Sequence, residues 1–108
     1  MNIRNKHIVV LGAARSGMAI ALWLKSQGGS VFVSDYGEIN HVKKDQLREH
    51  DIPFEESGHS PQALEGDFAV LSPGVPTQAP PVQAYLDNGK HVYSEIEVAS
   101  WFTDRPII

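Results

Sequence analysis

The sequence predicts an α/β fold: a Rossmann-like, doubly wound parallel sheet of about five strands with helices on both faces. Three observations predict it. Short β-branched runs alternate with segments of helical character along the whole chain, with no internal repeat between them. The first run, Ile8-Val9-Val10-Leu11, is continuously apolar, as in a strand covered by helices on both faces. Three of the runs end in loops rich in glycine, acid or proline, where such sheets bind ligands.

Each element has its own signal. His7 to Leu11 is the first strand, and Gly12 to Gly17 turn the chain into a helix carrying Met18, Ile20, Leu22 and Leu24. Gly28-Gly29 close that helix. Val31-Phe32-Val33 is the second strand and ends at Ser34-Asp35. Residues 40–50 form a charge-rich helix with Asn40 as N-cap and Val42 and Leu47 as apolar anchors. Ile52 to Glu55 reads as a short strand, placed at the sheet edge because Pro53 lacks a ladder donor, with Glu55-Glu56 in a charged loop. Ser60-Pro61 starts a short helical turn through Leu64. Phe68 to Leu71 is the next buried strand. Pro80-Pro81 open a helix with Val82, Tyr85 and Leu86 on one face, closed by Asn88-Gly89. His91-Val92-Tyr93 is the fifth strand. Ser94 and Glu97 have capping-box spacing and start a helix that buries Val98, Trp101 and Phe102. Thr103 to Pro106 break it, and Ile107-Ile108 begin a further apolar run that is too short for a strand of ~5 residues.

Composition narrows the function. The 108 residues allow one domain with a modest core, not a two-domain enzyme. Thirteen acidic against nine basic residues give a net charge of −4, and no stretch concentrates Lys and Arg, which argues against nucleic acid or an anionic membrane as partner. The absence of cysteine excludes disulfides, thiolate nucleophiles and Cys-ligated zinc, and the five histidines are scattered, so no metal site is expected. The N-terminus lacks the apolar core of a signal peptide, and no run approaches the ~20 residues that span a bilayer. A cytoplasmic domain is expected.

Gly12-Ala13-Ala14-Arg15-Ser16-Gly17 matches the dinucleotide fingerprint G-x-G-x-x-G with Ala14 at the middle glycine, and it lies between strand and helix as that fingerprint requires. The first-turn N–H groups around Arg15 to Gly17 are an anion site for phosphate, and the alternative is a plain strand-to-helix turn. The Arg15 side chain either clamps a phosphate or is solvated. Asp35 follows Gly17 by 18 residues, where an acid accepts a ribose hydroxyl or a base N–H and disfavours a 2′-phosphate; alternatively it caps the turn at Tyr36-Gly37. Ser72-Pro73-Gly74-Val75-Pro76 is a rigid loop in which Gly74 allows close approach of a ligand, or else a stiff connector. No activated nucleophile, acid/base pair or G-x-x-x-x-G-K-[ST] loop is present, so these are binding groups without a catalytic set.

Taken together, residues 11–17, Val33-Ser34-Asp35, Leu71 to Pro76 and Ser94-Glu95-Ile96-Glu97 resemble the N-terminal domain of the Mur ligases, closest to the D-glutamate-adding branch, over nearly the whole chain. The resemblance implies a UDP-sugar-binding domain at 1–106, with Ile107-Ile108 opening a central ATPase domain. It implies a cytoplasmic, monomeric parent of peptidoglycan and cell-wall synthesis, and so of cell shape and division. That parent uses ATP and magnesium held elsewhere, so no cofactor is expected in these 108 residues and the domain alone is inactive. The implied ligand is UDP-N-acetylmuramoyl-L-alanine. Ala14, Arg15, Ser16 and Gly17 would hold its diphosphate, Asp35 and Tyr36 face the uracil, and Ser72, Pro73 and Gly74 lie against the diphosphate-sugar. Tyr36 stands where the family has a small hydroxyl residue, and Ala14 where glycine is more usual. The alternative is an NAD-binding Rossmann domain of an oxidoreductase or a regulatory sensor.

Overall fold

The computed structural model describes residues 3–102; Thr103 to Ile108, and with them the expected helix break and the start of a next strand, lie outside the described residues. The strands are β1 (His7–Leu11), β2 (Ser30–Ser34), β3 (Phe54–Glu55), β4 (Phe68–Leu71) and β5 (His91–Ser94), and the helices are α1 (Arg15–Ser26), α2 (His41–Glu49), α3 (Pro80–Asp87) and α4 (Glu95–Ala99). Two 3-10 turns, Pro61–Leu64 and Ser100–Phe102, complete the described elements. All strand pairs are parallel, in the order β3-β2-β1-β4-β5.

Side-chain alternation along the strands divides the core into two layers. Ile8, Val10, Val31, Val33, Phe68 and Val70 pack on the face covered by Met18, Ile20, Ala21 and Leu24 of α1, Leu47 of α2 and Val98 of α4. Val9, Leu11, Phe32 and Ala69 face Ala63 of the 3-10 turn and Val82 and Tyr85 of α3. The continuous apolar run of β1 follows from this double covering. Beside α4, Trp101 and Tyr93 stack edge-on with Phe68, with ring centroids 5.2 to 6.0 Å apart. The Tyr85 hydroxyl donates to Ala63 O at 2.7 Å and accepts from Gly66 N at 3.1 Å, tying α3 to the loop before β4. Burial outweighs the Gly66 hydrogen bond and pushes this hydroxyl up to about 12.

Helix starts follow the chemistry of their first residues. The Asn40 side chain accepts from Lys43 N at 2.9 Å, and Ser94 and Glu97 form the reciprocal capping box. Four expectations are corrected. Val42 is 66% exposed, so of the two expected anchors of α2 Leu47 alone is buried. Leu86 is 51% exposed, because Val82 and Tyr85 already fill the contact of α3 with the sheet. Glu55 belongs to the edge strand β3 rather than a loop, and β3 is shorter than 52–55, starting after Pro53. The side chain of Phe102 is not among those described.

The register positions the site. Leu11 pairs with Ser34 and Leu71, Ser34 with Glu55, and Leu71 with Ser94, so all five strands end level. The loops after β1, β2, β3 and β4 therefore emerge at one edge of the sheet.

Candidate functional site

The loop after β1 is shaped by two glycines. Gly12 has φ +97°, the left-handed region that glycine adopts without strain, and a Cβ there would lie 2.9 Å from Ser72 Cβ. Gly17 opens the first turn of α1 with no room for a side chain: a Cβ would collide with Ser72 Oγ and lie 2.5 Å from Gly12 O. The Ser72 hydroxyl donates to Gly12 O at 2.8 Å, and its backbone N–H donates to Leu11 O at 3.0 Å. Ser72 is thus a buried buckle between the β1 and β4 loops, with its single hydroxyl hydrogen already engaged.

Ala14 is the N-cap of α1, and no side chain caps that helix. Met18 N is the first amide of the helix to find a carbonyl, Ala14 O at 2.9 Å. The amides of Arg15, Ser16 and Gly17 have no acceptor among the described residues, leaving the positive end of a twelve-residue helix open. Asp35 braces the same loop. Its Oδ2 accepts from Ala13 N at 2.7 Å and its Oδ1 from Gly37 N at 2.8 Å. The second of these is the expected turn cap, and the first ties the β1 loop to the end of β2.

Between these loops lies a cleft of about 620 Å³, within the range of small-molecule sites. Gly12, Ala14, Asp35, Ser72 and Gly74 line it, together with Tyr36, His59 and Pro80-Pro81. Of the residues singled out in the sequence, Ala14, Asp35, Tyr36, Ser72 and Gly74 meet here, while Arg15, Ser16, Gly17 and Pro73 do not line the cleft. A Cβ on Gly74 would touch nothing, so the protein itself does not require glycine there. A second hollow of about 530 Å³ shares Tyr36, His59, Pro80 and Pro81 and continues toward Pro61, Leu64 and Ala84.

The sequence reading missed His59. Ser34, buried at the end of β2, lies 2.6 Å from Glu55 Oε2 and 2.7 Å from His59 Nδ1, and Glu55 Oε2 also accepts from Ser60 N at 2.9 Å. The one available signal was Ser34 itself, a polar residue closing an apolar strand. Burial raises the Glu55 carboxyl, but hydrogen bonds from Ser34 and Ser60 and the nearby His59 outweigh it and hold the group below its ordinary value. A lowered folded value means that the stabilisation is fully present above the unfolded value of about 4.3 and is lost as pH falls through the folded one. Glu55→Gln should therefore flatten the fall in denaturant midpoint as pH drops below the unfolded value of about 4.3. A profile superimposable on the unmodified chain would refute this role.

No cluster of three His, Cys, Asp or Glu that could hold a metal occurs among the described residues, and no described helix is long and apolar enough to cross a membrane. A level-ended parallel sheet, with its cleft at the topological switch point where β1 and β4 send their crossovers to opposite faces, defines a Rossmann-like α/β domain.

The comparisons specify the family. The chain belongs to the MurD N-terminal domain family, whose model matches residues 7–80. Curated relatives called UDP-N-acetylmuramoylalanine–D-glutamate ligase include one from Chlorobium phaeobacteroides, 50% identical over 108 residues, covering 100% of this chain and 23% of the relative. Another, from Salinibacter ruber, is 45% identical over 106 residues, covering 98% of this chain and 23% of the relative. The chain thus spans about a quarter of the length of these relatives. Among solved structures, a murein peptide ligase from Psychrobacter arcticus superposes with a TM-score of 0.79 at 24% identity, over 90% of this chain and 20% of that one, which shows the shared fold.

Proposed function

We propose that this chain is the substrate-anchoring domain, at 1–106, of a UDP-N-acetylmuramoylalanine–D-glutamate ligase, and that its cleft takes the UDP end of UDP-N-acetylmuramoyl-L-alanine. The observation that carries the reading is the meeting of four loops at one cleft beside the uncapped start of α1, in a chain of the MurD N-terminal domain family. The open amides of Arg15, Ser16 and Gly17, behind Ala14, suit the diphosphate. Asp35 and Tyr36 face the uracil end, and Ser72 and Gly74 form the wall along the diphosphate-sugar, with Pro73 stiffening the loop between them. In the parent enzyme, ATP would phosphorylate the substrate carboxylate and the amine of D-glutamate would displace the phosphate, forming an amide in cytoplasmic peptidoglycan synthesis. The described residues offer neither a phosphate loop of the G-x-x-x-x-G-K-[ST] type nor an acidic cluster for magnesium, so that chemistry belongs to other parts of the parent. Ile107-Ile108, outside the described residues, would open the domain that supplies it. Family membership disfavours the NAD-binding alternative.

Calorimetry on the chain with UDP-N-acetylmuramoyl-L-alanine, UDP and NAD tests the reading. Both uridine ligands are expected to bind, with NAD at least tenfold weaker. Preference for NAD would overturn it.

A further inference from the structure

The hydrogen-bond chain from Glu55 through Ser34 to His59 fixes which imidazole nitrogen carries a hydrogen. An ionised carboxylate can only accept, so the single Ser34 hydroxyl hydrogen goes to Glu55 Oε2 at 2.6 Å. Ser34 Oγ then has only lone pairs to offer at 2.7 Å, and His59 Nδ1 must donate to it. In the neutral ring this leaves the lone pair on Nε2, which has no hydrogen-bond partner among the described residues. The ring is half-buried and forms part of the wall of both hollows, next to Tyr36, at a centroid distance of 6.2 Å. Three residues on β2, β3 and the following loop thus orient one acceptor in a cleft whose other described polar groups are largely engaged. Both Asp35 oxygens already accept backbone amides, and the Ser72 hydroxyl donates to Gly12.

We propose that His59 is a specificity-determining residue of this cleft, presenting Nε2 as a fixed hydrogen-bond acceptor to a donor on the nucleoside of the bound ligand. This rests on the uridine diphosphate reading above. A uridine nucleotide offers two such donors, the imide N3–H of uracil and the ribose hydroxyls. Cytosine has a lone pair at N3 and would face Nε2 acceptor to acceptor. Ser34 and Glu55 act through His59 as positioning residues.

Calorimetry with UDP, N3-methyl-UDP, 2′-deoxy-UDP and 3′-deoxy-UDP, on the unmodified chain and on His59→Phe and His59→Gln, separates the possibilities. On the unmodified chain, one analogue is expected to bind about tenfold or more weaker than UDP, because an acceptor left facing no donor is penalised. Which analogue it is identifies the donor. His59→Phe is expected to bind UDP about tenfold weaker and to discriminate no further against that analogue, the coupling expected of two groups in contact. His59→Gln, whose amide oxygen can reach a similar point, is expected to recover part of the discrimination. If all three analogues bind the unmodified chain as tightly as UDP, or if His59→Phe keeps the full discrimination, the assignment is overturned while the uridine reading stands. Failure of UDP itself to bind the unmodified chain overturns the uridine reading and this assignment with it.

Discussion

Gly17→Ala is expected to destabilise the domain by about 3 kcal/mol and to lower its melting temperature by about 15 °C. The added methyl would collide with Ser72 Oγ and sit 2.5 Å from Gly12 O. The carbonyl cannot retreat easily, because Gly12 N donates to Ser34 O at 2.8 Å and Gly12 is held at φ +97°. Relief requires Ser72 to leave, which breaks its hydrogen bond to Gly12 O, or α1 to lift from the sheet, which opens the packing of Met18 and Ala21. Overpacking of this kind costs about 1–3 kcal/mol, and the lost hydrogen bond about 1 more. Gly74→Ala is the matching control. Its methyl meets nothing, so stability should stay within about 0.5 kcal/mol of the unmodified chain, while the cleft that Gly74 lines becomes narrower and uridine binding weaker. Thermal unfolding of both variants decides the matter. A Gly17→Ala melting point within about 2 °C of the unmodified chain would show that the β1–α1 turn is looser than its contacts imply.

Those contacts explain why so much was readable from residues alone. Ile8 to Leu11 announces a strand covered on both sides because sheet and helices bury both faces, and the glycine spacing of 12–17 announces the turn because only glycine fits against Ser72. Ser94 and Glu97 announce a helix start because their bonds are local in sequence. What could not be read depends on contacts between distant segments. The 3.6-residue period places Leu86 beside Tyr85 but does not say that the sheet has room for Tyr85 and Val82 alone. Arg15 and Ser16 sit in the motif, yet the cleft is lined by Ala14 and by residues from four other segments. His59 enters only because β3 pairs with β2, Ser34 opposite Glu55, which brings the next loop back over the end of the sheet. A two-residue edge strand leaves almost no pattern in the sequence. Pro80-Pro81 were legible as a helix start but not as a wall of the cleft, since that second role depends on where α3 packs relative to the loops after β1, β2 and β4.

Asp35→Ala should cost about 3 kcal/mol and weaken binding of UDP more than tenfold, with Asp35→Asn intermediate in both. The carboxylate holds two loops at once, through Ala13 N at 2.7 Å and Gly37 N at 2.8 Å. Hydrogen bonds to a charged acceptor contribute about 1.5–3 kcal/mol each, the upper figure applying where water cannot replace the lost partner. Ala13 is only 3% exposed, so its amide would be left with little access to solvent, whereas the Gly37 amide can turn to water. Asparagine keeps one oxygen for one amide and sets its own NH2 against the other, which preserves about half of the brace. The two effects are linked, because the amides of Arg15 to Gly17 follow Ala13 after the single residue Ala14 and lose their aim if that loop drifts from the end of β2. Denaturant midpoints and calorimetric affinities measured side by side test this link. Stability falling in the order unmodified, Asn, Ala, with affinity falling in the same order, is the expected result. An asparagine variant as stable as the unmodified chain would show that charge on Asp35 does not hold the loop, and an alanine variant with full affinity would remove Asp35 from the ligand site altogether.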